Sequence, residues 1–211
     1  MQNEPNHLRR EAAEIAVFPV RDRVPALLTN QSAGDAIGRL IVSTQMTLDG
    51  VIDVGEWFVA DSANDRAGKD QLGDASAVLL GRKTYEGLAD YWSPLKDEWA
   101  NLINPKPKYV ASRTLHGQLD WNATLLEGDT TDAVSKLKAE LPSDLLSYGC
   151  GELARSLLAT RLVDELRFWI HPAVWGAGER PLQSEAQNRL RLLGSEAFDS
   201  GVTLLRYAPI Y

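Results

Sequence analysis

The sequence predicts an α/β fold: a three-layer αβα domain with a mainly parallel central sheet and antiparallel C-terminal strands. Three observations predict it. From Gly38 onward, short apolar runs alternate with segments of helical periodicity. Those runs are rich in Val, Leu and Ile, as strands buried on both faces are. After Val163 the alternation stops, and strand-like segments follow one another with no helix between them. Repeated strand–helix alternation implies right-handed crossovers between parallel neighbours, closed here at one edge by a hairpin.

The elements follow in order. "RLIVSTQMTL" (39–48) reads as the first strand and stops at Asp49-Gly50, a strong turn dipeptide. "EWFV" (56–59) reads as a strand end, with a polar helix from about Asp61. "AVLLG" (77–81) has the length and composition of a buried parallel strand, and "RKTYEGLADYW" (82–92) places Tyr85, Leu88 and Ala89 at i, i+3, i+4 spacing. "PKYVAS" (107–112) and "NATLLEG" (122–128) are strands, and "DTTDAVSKLKAEL" (129–141) is a helix that opens on capping residues. "DLLSYG" (144–149) is a further strand; in "GELARSLLATRL" (151–162), Leu153, Leu157 and Leu158 share a helical face. "VDELRFWIHPAVW", "RLRLLGSEAF" and "GVTLLRYAPI" complete the sheet. Residues 1–37 are polar and broken by Pro5, Pro19 and Pro25, so they read as an N-terminal arm before a domain at 38–211.

Composition excludes several functions. With 22 Lys and Arg against 29 Asp and Glu, the net charge of −7 opposes binding to nucleic acid or to anionic membranes. One cysteine, Cys150, rules out an intrachain disulfide, and the three scattered histidines make no metal-binding motif. No segment has the length and apolarity of a signal peptide or a membrane span, so the cytoplasm is the expected location.

In an open parallel sheet, ligands lie beyond the carboxyl ends of the strands. Three such ends carry suggestive residues: Gly81-Arg82-Lys83-Thr84, Ser112-Arg113-Thr114 and Gly149-Cys150-Gly151. Glycine lets a phosphate approach the backbone, a helix start supplies free N–H groups, and arginine grips a phosphate monoester in bidentate fashion. Singly, each motif is ordinary chain punctuation. Their occurrence at successive strand ends of an acidic chain points to one anion-binding cradle.

In that order, "LIVSTQMTLDGVI", "VLLGRKTYEGLADYW", "PKYVASRTL", "LLSYGCGELARSLL" and "LVDELRFWIHPAVWGAGERPL" resemble the dihydrofolate reductase-like family typified by the riboflavin-biosynthesis reductase (RibD C-terminal) domain. The resemblance covers roughly residues 38–208. It implies an NADPH-dependent reductase, commonly a homodimer, acting on a small heterocyclic (pyrimidine- or pterin-like) or carbonyl substrate. The riboflavin-branch enzymes reduce 5-amino-6-(5-phosphoribosylamino)uracil to its ribityl form. By the same resemblance, Gly81, Arg82 and Thr84 meet the cofactor phosphates, Ser112 and Arg113 hold the adenosine 2′-phosphate, and Gly149, Gly151, Glu152 and Leu153 lie beneath the pyrophosphate and nicotinamide.

Two carboxylates compete for the proton-donor role. Asp49 in "TLDG" matches the family motif at the end of the first strand, with Glu56 and Trp57 as neighbours in a substrate pocket. Asp65 stands on the predicted helix, where dihydrofolate reductases keep their pterin-binding acid. Against both, Asp-Gly is ordinary turn chemistry and "DSANDRAGKD" is polar all round. His171 reads as a hydrogen-bonded core residue and Cys150 as a small buried filler. A non-catalytic ligand-binding module of the same fold and a pterin reductase proper stay open as alternatives. The HxE and PCxxC signature of a zinc deaminase is absent from the sequence.

Overall fold

The computed structural model describes residues 38–181 and 188–211. The arm expected over residues 1–37 lies outside the described residues. Eight strands form one sheet: β1 (Leu40–Thr47), β2 (Ala77–Gly81), β3 (Lys108–Ala111), β4 (Ala123–Leu125), β5 (Leu145–Tyr148), β6 (Glu165–His171), β7 (Arg189–Ala197) and β8 (Thr203–Ile210). Five helices intervene: α1 (Ser62–Asp74), α2 (Arg82–Trp92), α3 (Glu98–Ile103), α4 (Thr130–Glu140) and α5 (Glu152–Ala159). The sheet order is β4-β3-β2-β5-β1-β6-β8-β7. Every pairing from β4 through β6 is parallel, while β8 runs antiparallel to both β6 and β7. The predicted fold class is the observed one.

Strand periodicity explains the layering. On β1, Leu40 and Val42 face one way and Ile41 the other; Ala77 and Leu79 of β2 oppose Val78 and Leu80 in the same manner. One face packs against Val134 of α4 and Ala154, Leu157 and Leu158 of α5. The opposite face packs against Leu72 of α1, Tyr85 of α2 and Ile103 of α3. Leu79, Leu80, Leu145 and Leu146 are fully buried, each worth about 2 kcal/mol of transfer free energy. No helix among the described residues is long and apolar enough to cross a membrane.

Two charged groups are buried with their partners. Lys108 Nζ donates to the carbonyls of Ile103 (2.6 Å), Asn104 (2.9 Å) and Lys106 (2.8 Å), closing the carboxyl end of α3. Its ammonium also lies 4.1 Å from the Trp121 ring centroid. Glu165 holds Arg167 and Arg206, each at 2.7 Å, together with Arg39 at 3.3 Å.

The structure corrects two local expectations. Residues 56–59 form a loop and pair with no strand; their contacts are local or with His171, so no ladder forms. Helix α3 was not foreseen, because six residues are too few for a periodic signal.

A cleft at the carboxyl edge of the sheet

Because β3, β2 and β5 are neighbours in the sheet, the turns that follow them open onto one cleft of about 1670 Å³. Gly81, Arg82, Thr84, Ser112, Arg113, Gly149, Gly151, Glu152 and Leu153 all line it, so the three separated motifs meet in space. A left-handed Gly149 (φ +86°) turns the chain after β5. The point where its side chain would start lies 3.4 Å from Thr84 Oγ1, which brings the β2 and β5 turns into contact.

Helix capping marks the same place. Asp61, Asp97 and Asp129 cap α1, α3 and α4, each carboxylate accepting first-turn N–H groups. Helices α2 and α5 begin instead under Gly81 and Gly151, with no side-chain cap. Their open N–H groups and positive dipole ends therefore face the cleft. Nearby, Arg82 Nη1 lies 3.3 Å from Glu86, and Arg113 Nη2 lies 2.8 Å from Glu152 Oε1. Such exposed pairs are weak and readily exchanged for a bidentate anion. Ser112 Oγ accepts from Thr114 N (3.1 Å) and Leu115 N (3.0 Å), so the hydroxyl also shapes its own turn. Cys150 is buried among apolar groups, and burial pushes its thiol up to about 12, which is the inert filler its neighbours predicted.

The rest of the cleft is built from the end of β1, the 52–60 loop, α1 and His171 at the end of β6. Asp65 lines it. Its carboxylate takes Trp99 Nε1 at 2.6 Å and Lys69 Nζ at 2.7 Å. Burial alone would raise its pKa; the hydrogen bonds and charge of these partners outweigh that and keep it below the ordinary carboxylate value. His171 accepts from Val59 N at Nδ1 (3.1 Å) and meets Gln45 Oε1 at Nε2 (2.7 Å), which fixes the Nε2–H tautomer. Burial lowers its pKa to about 4, so the ring is neutral near pH 7. Phe58 packs on it at 4.8 Å between ring centroids.

Three expected substrate-side residues stand off the cleft wall. Asp49 does not line the cleft. Its carboxylate accepts from Thr47 Oγ1 (2.6 Å), Trp175 N (3.0 Å) and Gly176 N (2.8 Å), clasping the loop after β6. The Thr47 hydroxyl first, and then the two backbone amides, hold it well below the usual carboxylate range, the wrong direction for a proton donor. Glu56 is exposed and Trp57 is buried, and neither lines the cleft. Trp57 packs edge-on against His171 from behind (5.0 Å) and donates to Asp53 O (2.8 Å). The sequence reading missed Phe58, Gln45 and Glu179 as cleft residues. Glu179 alone had a visible signal, since it ends the glycine-rich "GAGE" after β6.

Comparison with known proteins places this geometry. The model of the RibD C-terminal domain matches residues 39–204. The chain belongs to this family. An uncharacterized protein of Bacillus subtilis, YyaP, is 33% identical over 180 residues, spanning 80% of this chain and 94% of that protein. A pyrimidine reductase-like protein of Corynebacterium diphtheriae superposes with a TM-score of 0.63 at 15% identity, over 83% of this chain and 93% of that one. Dihydrofolate reductase of Enterococcus faecalis, crystallised with NADP(H), gives 0.59 at 14% identity, over 83% and 98%. At these identities the two solved structures share the fold.

Proposed function

We propose that the protein is an NADPH-dependent reductase that delivers hydride to a small heterocyclic or carbonyl substrate. One observation carries the reading: two uncapped helix starts, a left-handed glycine and the cations Arg82, Lys83 and Arg113 converge on one cleft large enough for a dinucleotide beside a second molecule. The residues fit the cofactor. Gly81, Thr84, Gly149, Gly151, Glu152 and Leu153 would cradle its pyrophosphate and nicotinamide half, with Arg82 on the phosphates and Ser112 and Arg113 on the 2′-phosphate. The bound nicotinamide supplies the hydride. The chain's own part is to orient the two molecules, exclude water with Phe58 and Trp169, and present neutral His171, hydrogen-bonded to Gln45, at the cleft wall.

Asp65 is the carboxylate that this reading keeps beside the substrate. Calorimetric titration with NADPH and NADH tests the cofactor. Micromolar NADPH binding with weaker NADH binding is the expected result, and no binding of either overturns the reading. We also take the protein to be a cytoplasmic homodimer. The outer edge of β7, with Leu192 and Leu193 exposed on that strand, favours pairing with a second copy. A monomer mass by light scattering would remove that part.

A further inference from the structure

A short hydrogen-bonded chain fixes one amide on the cleft wall. The backbone N–H of Val59 donates to Nδ1 of His171 (3.1 Å), and a backbone amide can only donate, so Nδ1 carries the lone pair. The ring proton then stands on Nε2, 2.7 Å from the side chain of Gln45. A ring N–H needs an acceptor, so the Gln45 amide turns its Oε1 to His171 and its NH2 away. A protonated ring would make donors of both nitrogens, which the Val59 amide opposes.

That NH2 differs from the other donors around it. The side-chain N–H donors that β1, β6 and α1 bring to the cleft are those of Gln45, Asn64, Trp169 and His171. Asn64 Nδ2 is directed to Val59 O (3.5 Å) and Ser200 Oγ (3.4 Å), Trp169 Nε1 to Ser43 Oγ (3.1 Å), and His171 Nε2 to Gln45 itself. Among the described residues, no hydrogen bond engages Gln45 Nε2, and no buried side-chain polar atom lacks a partner. The NH2 is therefore open to solvent on the cleft wall. Gln45 pairs with Trp169 across β1 and β6, so the two side chains share a face, and Phe58 packs on His171 beside them. A fixed donor thus stands among aromatic rings, on the half of the cleft away from Arg82 and Arg113.

We propose that Gln45 is a specificity residue of this cleft: its NH2 donates to a ring nitrogen or carbonyl oxygen of a planar substrate. This rests on the reductase reading and adds to it the acceptor that the substrate must carry. A site built around a fixed donor rejects an analogue lacking the acceptor, because the donor then loses its water and gains no partner.

The test pairs quinoxaline with naphthalene, rings of the same shape of which only quinoxaline carries acceptor nitrogens. Both are titrated by ligand-observed NMR into full-length protein saturated with NADPH, at about pH 8, where His171 is neutral. Gln45→Glu keeps an acceptor for His171 and removes the NH2, whereas Gln45→Leu removes both. Each variant should weaken quinoxaline about fivefold or more and leave naphthalene within about twofold. A residue that merely held His171 in place would tolerate Gln45→Glu, so that variant decides. Failure of either ring to bind the wild type, equal losses for both rings, or an unaltered quinoxaline affinity in Gln45→Glu overturns the inference. A loss of NADPH affinity in Gln45→Glu overturns it too, because the NH2 would then serve the cofactor. The wild-type NADPH titration is read first: its failure removes the cofactor reading, whereas an unmoved quinoxaline affinity in saturated protein removes only the role of Gln45.

Discussion

Helices α1, α3 and α4 begin under aspartates, whereas α2 and α5 begin under glycines. The first group is complete in itself, its leading N–H groups satisfied by carboxylates a few residues away. The second group is left open, and both open ends point into the cleft that gathers the cations. A fold able to cap its helices locally has left two uncapped where an anion would do the capping. The two uncapped helix starts mark the candidate anion site more sharply than any single residue does.

Giving α5 the cap that the other helices have should produce the largest effect. Gly151→Asp is expected to weaken NADPH about a hundredfold or more, roughly 3 kcal/mol, because its carboxylate takes the N–H groups and repels the pyrophosphate. Calorimetry reads the affinity, and a thermal melt checks that the fold survives. Unchanged NADPH binding would show the open helix end to be incidental.

The opposite half of the cleft supplies the next effect. His171 is folded as the neutral ring, with a pKa near 4 against an ordinary value of 6.5. The unfolded chain therefore binds more protons across that window, and stability should fall as pH drops from about 6.5 to about 4, by roughly 2–3 kcal/mol. Chemical denaturation at several pH values measures this slope, and His171→Gln should flatten it.

Arg113→Ala is expected to weaken NADPH about tenfold and leave NADH within about twofold, since its target is the 2′-phosphate. Equal losses for both cofactors would move Arg113 to the pyrophosphate. The smallest effect should come from a capped helix. Asp129→Ala removes the acceptor for Thr131 N and Asp132 N and should cost about 1 kcal/mol of stability by urea melt, with NADPH affinity unchanged.

Much of the frame was readable because it rests on local pattern. "AVLLG" could be placed as a buried strand since five apolar residues ending in glycine admit few other roles. The three turns were readable for the same reason: glycine and arginine at a strand end are local features. Asp49 was not. Its motif marks the end of β1, but the groups that occupy its carboxylate, Trp175 N and Gly176 N, lie over 120 residues further on. Nothing near it in sequence announces them. The wall formed by Phe58, Gln45 and His171 was hidden likewise, being assembled from three distant segments.

The sequence by itself determined the strand–helix order, the layered architecture and the cationic turns, because periodicity, glycine placement and helix starts act over a few residues. Only the tertiary structure decided which carboxylates are spent on holding loops, as Asp49 is, and which line the cleft, as Asp65 does. That choice depends on through-space hydrogen bonds and burial, which set a side chain's charge and its freedom and leave no mark on its neighbours in the chain.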